Sequence, residues 1–74
     1  MRILINGEGK ECEEGIFLSD LLDLLELPPQ RIAVELNREV VRRADWKSTI
    51  LKNEDRLEIV HFVGGGSGFS SNRK

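Results

Sequence analysis

The spacing of apolar side chains along this chain changes period twice, and each change marks a new kind of element. Residues 2–6 (RILIN) alternate, with Ile3 and Ile5 on one face and Arg2, Leu4 and Asn6 on the other, which predicts a strand. Asn6-Gly7 signals a turn, with Gly9 able to take a positive φ, and a second, weaker strand is expected near Lys10 to Glu13, ended by Gly15. Over residues 18–27 (LSDLLDLLEL) the spacing becomes helical: Leu18, Leu21, Leu22, Leu25 and Leu27 line one face against Ser19, Asp20, Asp23 and Glu26. Asp20 and Asp23 suit the positive end of the helix dipole. Phe17 is a poor N-cap, and Ser19 a better one that would shorten the helix. Pro28-Pro29 forbids its continuation.

Alternation returns in residues 31–36 (RIAVEL), where Ile32, Val34 and Leu36 oppose Arg31, Ala33 and Glu35 in a half-buried strand. Asn37 leads into a turn and Val40-Val41 into a short strand. Residues 42–51 have little periodicity but three expected anchors, Trp46, Ile50 and Leu51. After the polar turn Lys52-Asn53-Glu54-Asp55, residues 56–62 (RLEIVHF) form the last strand, with Leu57, Ile59 and His61 facing one way and Glu58, Val60 and Phe62 the other.

This order predicts an α+β fold, a sheet with one main helix packed across one face. Its core should hold Ile3, Ile5, Leu18, Leu21, Leu22, Leu25, Ile32, Val34, Leu36, Leu57 and Ile59. The opposite face carries Leu4, Ala33, Val60 and Phe62, which read either as a partner-docking patch or as the singly exposed apolar groups that any surface has.

A chain of 74 residues makes one domain with a thin core, and no deep active-site cleft is expected. Its 13 acidic and 11 basic residues give a net charge of -2, without a basic stripe or an aromatic platform, so nucleic acid is not an expected partner. Without residues 67–74, which include Arg73 and Lys74, 13 acids face 9 bases and the charge is -4. A basic or mixed-charge surface on a protein partner is then expected. No apolar segment is long enough to span a membrane and the start is too quickly polar for a signal peptide, so the cytoplasm is the expected location.

Cys12 is the one cysteine and has no disulfide partner in the chain; flanked by Glu11 and Glu13, it reads as an incidental thiol. His61, the one histidine, reads as a core-edge or partner-contacting residue, since no second ligand or nucleophile accompanies it. Trp46 either packs the long connection or anchors an interface. Glu11, Glu13 and Glu14 read as a solvated acidic surface, with cation binding the alternative.

After Val63 the composition changes to Gly64-Gly65-Gly66-Ser67-Gly68-Phe69-Ser70-Ser71-Asn72-Arg73-Lys74. The folded domain is expected over residues 1–63, and residues 64–74 as a flexible glycine-rich tail. A phosphate-binding loop would need a following helix and a Lys-Ser or Lys-Thr pair, and neither is present. Glycines at an exposed end offer slimness instead. A partner can close a narrow channel around bare backbone and hold a terminal carboxylate beside a reactive phosphorus or thiol.

The opening strand with Asn6-Gly7, the helix with Leu21-Leu22, the segment Ala33-Val34-Glu35-Leu36-Asn37-Arg38-Glu39-Val40-Val41, the acidic turn through Asp55 and the ending Glu58-Ile59-Val60-His61-Phe62-Val63-Gly64-Gly65-Gly66 carry a resemblance. Over about residues 1–66 the chain resembles the ubiquitin-like sulfur carriers of the ThiS/MoaD family, which have the beta-grasp fold, and within them the thiamin-biosynthesis branch. The resemblance implies a protein substrate and not an enzyme, with no resident cofactor and no metal.

A ThiF-like adenylyltransferase would use ATP to activate the terminal glycine. A persulfide donor fed by a cysteine desulfurase would make it a thiocarboxylate, and a ThiG-like thiazole synthase would receive the sulfur. By the same resemblance Gly66, or Gly65 in its place, bears the sulfur and Gly64 and Gly65 thread the partner's channel; of the open-face residues Leu4, Ala33, Val60 and Phe62 that alternation offers for partner docking, Val60 and Phe62 are the ones expected near that channel. Family members end at glycine, whereas Ser67 to Lys74 follow Gly66 here. Either a peptidase removes residues 67–74, or they are foreign to the natural chain, or the protein serves another use. A molybdopterin-type carrier, a ubiquitin-like modifier and a plain binding module remain the alternatives.

Overall fold

The structure is a computed structural model and describes residues 1–62. Five strands, β1 Arg2–Ile5, β2 Glu8–Glu11, β3 Ile32–Leu36, β4 Glu39–Val41 and β5 Arg56–His61, form one sheet in the order β2-β1-β5-β3-β4. Helix α1, Leu18–Leu24, packs on one face, and 3-10 turns cover Pro29–Arg31 and Arg43–Ser48. Strands β1 and β5 run parallel and every other pairing is antiparallel. The last strand among the described residues is therefore the middle strand of the sheet.

Both hairpins are two-residue turns of the primed type that matches strand twist. Ile5 faces Glu8 across Asn6-Gly7, with φ of 49 and 86°, and Leu36 faces Glu39 across Asn37-Arg38, with φ of 52 and 75°. The first turn is thus complete before Gly9. That glycine lies inside β2 opposite Leu4, and the second strand starts two residues earlier than the expected Lys10 to Glu13. Gly9 leaves room for Arg2, because a Cβ there would sit 2.5 Å from the guanidinium Nη2.

Helix α1 also ends earlier than the leucine pattern predicts. Its N-cap is Phe17, with no side-chain hydrogen bond, so Ser19 is not the cap. At the other end Glu26 takes the left-handed conformation at φ 59°. Its N–H donates to the Asp23 carbonyl at 3.0 Å, and the Leu27 N–H donates to Leu22 at 3.2 Å. This pair of bonds is a Schellman ending. Pro28 requires an extended residue before it, so Leu27 leaves the helix and returns to the core as a half-buried side chain.

Seven of the expected core residues, Ile3, Leu18, Leu21, Leu22, Ile32, Val34 and Leu57, are buried, whereas Ile5, Leu25, Leu36 and Ile59 are half-buried at its margin. Trp46 and Leu51 complete the buried cluster, and the indole Nε1 donates to the Val41 carbonyl at 2.9 Å. Ile50 is not an anchor and is 50% exposed. Residues 49–51 are extended against residues 16–18, with the Leu18 N–H donating to Thr49 at 2.7 Å and the Leu51 N–H to Ile16 at 2.9 Å. Alternation there turns Leu51 inward and Ile50 outward. Among the described residues no helix is long and apolar enough to cross a membrane.

Candidate functional site

The glycine run follows β5 in the chain, and how firmly the end of that strand is held decides what can be presented there. On one side β3 pairs with β5 from Leu36 opposite Leu57 to Ile32 opposite His61, and the Phe62 N–H then donates to the Arg31 carbonyl at 2.6 Å. On the other side β1 pairs only at Leu4 opposite Arg56 and Ile5 opposite Leu57. Asn6 extends that ladder. Its backbone N–H donates to Leu57 at 2.8 Å, its Oδ1 accepts from the Ile59 N–H at 2.7 Å, and its Nδ2 donates to the Ile59 carbonyl at 3.2 Å.

A second asparagine holds the start of β5. Asn37 Oδ1 accepts from the Arg56 N–H at 3.0 Å while its Nδ2 donates to Asp55 Oδ1 at 3.0 Å. The other oxygen of Asp55 accepts from the Lys52 N–H at 2.8 Å, and Asn53 accepts from the Arg2 N–H at 2.9 Å. Sequence reading identified Asn6 and Asn37 as turn formers only. Their carboxamides in fact do a strand's work at the start of β5 and at Ile59 within it, and the only signal for it is an amide side chain next to a sheet edge.

Rows of paired residues cross the open face of the sheet. Val60 lies beside Ala33, Glu58 beside Glu35 and then Val40, and Arg56 beside Leu4 and then Gly9. Val60 is 40% exposed, Ala33 and Phe62 are half-buried, and the alternation of β5 brings these three together at its exit. Leu4 is not part of that group. It pairs with Arg56, four residues before Val60 and so about 13 Å back along the strand, with the glutamate row between. Glu35 and Glu58 face each other directly, and neither has an ion-pair partner among the described residues. Like charges so placed cost stability.

The remaining candidates are scattered. His61 is exposed, as are Glu11, Glu13 and Glu14, and among the described residues no group of three His, Cys, Asp or Glu side chains is placed to hold a metal ion. Cys12 is half-buried, its N–H donates to the Met1 carbonyl at 2.9 Å, and burial pushes its thiol pKa up. The glycines Gly64, Gly65 and Gly66, and the expected tail to Lys74, lie outside the described residues.

Comparison with known proteins gives this arrangement a context. A family model described as the ThiS family matches residues 3–66, a span that takes in all of the sheet but Arg2 and includes the three glycines. The sulfur carrier protein ThiS of Escherichia coli is 27% identical over 66 residues, which cover 89% of this chain and 100% of that one. A thiazole synthase of Magnetococcus marinus is 42% identical over 66 residues, 89% of this chain but 20% of that protein. The chain thus spans a fifth of that relative's length. Among solved structures, the thiamine biosynthesis protein ThiS of Geobacter metallireducens superposes with a TM-score of 0.78 at 32% identity, covering 89% of this chain and 100% of that one.

Proposed function

The chain belongs to the ThiS family, and from that premise we propose that it is the sulfur carrier of thiamin thiazole formation. One observation carries this reading: the family match continues through Gly66, and the glycines follow almost directly on a central strand held on both sides as far as Ile59. The 42% identity to a stretch of a protein named thiazole synthase supports the thiazole branch over a molybdopterin one.

In the proposed sequence a ThiF-like adenylyltransferase binds ATP and the Gly66 carboxylate attacks its α-phosphorus, expelling pyrophosphate. A carboxylate resists nucleophiles, whereas the acyl adenylate carries a good leaving group. The terminal sulfur of a protein persulfide attacks the acyl carbon and expels AMP, leaving an acyl disulfide. A thiol then attacks the sulfur of the donor protein, which releases the Gly66 thiocarboxylate and forms a new disulfide. A thiazole synthase takes the sulfur from there.

The chain's own part is to bind and to present. Val60, Ala33 and Phe62 dock beside the strand exit, and a basic group of the partner set between Glu35 and Glu58 relieves their repulsion. Gly64 and Gly65 admit a narrow channel because they carry no side chain. Gly66 has a free carboxylate only once residues 67–74 are gone, a step assigned to a peptidase.

The test compares chains ending at Gly65, Gly66 and Lys74, each incubated with ATP, a ThiF-like adenylyltransferase and bisulfide, then weighed intact. Exchange of one oxygen for one sulfur in the Gly66-ended form is expected. Exchange in the Gly65-ended form alone moves the site to Gly65, and no exchange in either shortened form removes the carrier reading. Covalent attachment to lysines would assign the chain to the modifiers.

A further inference from the structure

We propose that Pro29 and Arg43 are positioning residues for the reaction at Gly66: together they end the β3–β5 ladder at Phe62 and so leave the main-chain groups of the glycine run to a partner. The purpose of this stop rests on the sulfur-carrier reading, and the stop itself rests on backbone geometry. Along β5 the even residues bond towards β3, as Arg56 does with Asn37 and Phe62 with Arg31. The odd residues bond towards β1, as Leu57 and Ile59 do with Asn6.

The ladder to β3 is already half open at Phe62. The Phe62 N–H reaches the Arg31 carbonyl, but the Arg31 N–H, which would complete the pair, donates to the Pro28 carbonyl at 3.0 Å in the turn Pro29–Arg31. The register that sets Ile32 opposite His61 would set residue 29 opposite residue 64. Pro29 has no N–H to give, and its carbonyl accepts from Arg43 Nη1 at 3.3 Å. Of the two groups through which β3 could take Gly64, one is missing and the other is occupied. On the opposite flank the Asn6 carboxamide takes the N–H and carbonyl of Ile59, and the positive φ of Asn6 and Gly7 turns the chain into β2 before it reaches His61.

Ending the helix does not require Pro29. Helix α1 closes at Glu26 with its Schellman bonds, and Pro28 already keeps Leu27 out of it. What the second proline adds is a β3 that cannot grow towards the glycines. A channel that holds bare backbone by hydrogen bonds needs those main-chain groups free, as in any recognition of an extended peptide. Reach matters as well. The Gly66 carboxylate has to meet the α-phosphorus of ATP on another protein, and each residue zipped onto the sheet shortens its reach by about 3.3 Å.

The experiment restores the missing groups in the Gly66-ended chain with the double variant Pro29→Thr, Arg43→Ala. Amide exchange at Gly64 is measured first, with no partner present. Rapid exchange is expected in the parent, and exchange about tenfold slower in the variant. Pyrophosphate release by a ThiF-like adenylyltransferase with ATP is measured next. Only the unpaired fraction can thread, so KM for the variant should rise by about the same tenfold while kcat stays within about twofold. A protected Gly64 in the parent overturns the proposal, and so does an unprotected one in the variant. A protected variant with the parental KM also overturns it, as does a fall in kcat alone. If the double variant melts below the parent, Pro29→Ala takes its place in both measurements. If the parent is never adenylated, the carrier reading fails separately and the stop is judged by amide exchange alone.

Discussion

The carboxamide of Asn6 closes on both backbone polar groups of Ile59, accepting from its N–H at 2.7 Å and donating to its carbonyl at 3.2 Å. The residue sits at φ 49°, so replacing it by alanine would mix lost bonds with backbone strain. Asn6→Gly keeps the conformation and removes only the bonds. We expect a loss of about 1–3 kcal/mol in urea unfolding and faster amide exchange at Ile59. Unchanged protection at Ile59 would mean that the clamp is dispensable.

Glu26 and Arg38 hold left-handed backbone at φ 59 and 75° with ordinary side chains. Glu26 ends a helix in a Schellman motif, and Arg38 occupies the second position of a primed turn, where glycine is preferred at both. Glu26→Gly and Arg38→Gly should each raise stability by about 0.5–1 kcal/mol, as read from the denaturation midpoint at constant m-value. A lowered midpoint would show that these side chains make contacts that outweigh the strain.

The split of the open face predicts that its residues differ in their effect on partner binding. Val60→Asp and Phe62→Asp, at the strand exit, are expected to weaken binding to a ThiF-like adenylyltransferase by about tenfold or more without unfolding the domain. Leu4→Gln, beside Arg56 and away from the exit, should change it by less than about threefold. Calorimetry on the Gly66-ended chain checks this, and equal losses at Leu4 and Val60 would restore a single continuous patch.

Burial raises the thiol pKa of Cys12. The positive charges of the Met1 amine and Lys10 oppose the shift and the carboxylate of Glu11 adds to it. A raised pKa leaves less thiolate at any given pH, and the thiolate is the reactive form. Alkylation by iodoacetamide at mildly alkaline pH should therefore lag behind that of a free cysteine. Its rate should keep rising at pH values where the free thiol has levelled off, and urea should abolish the difference. Equal rates in the folded chain would contradict the burial argument.

Which side chains face the helix was legible in the sequence, because the inward face of a strand or helix follows from local period alone. Ile3, Leu21, Leu22, Ile32, Val34 and Leu57 were all placed that way. The glycine run was legible for a different reason, since it is a matter of composition and needs no packing.

The order and register of the strands came only with the tertiary structure, because pairing joins residues far apart in the chain and alternation says nothing about which strand is the neighbour. Placing β5 in the centre, parallel to β1, put Leu4 beside Arg56 instead of Val60 and set Glu58 against Glu35. The same pairing brought Asn6 to Ile59 and, through the contact of residues 16–18 with 49–51, turned Ile50 outward beside Phe17. The sequence determined the faces and the glycine-rich end. Long-range hydrogen bonding decided which residues on those faces meet.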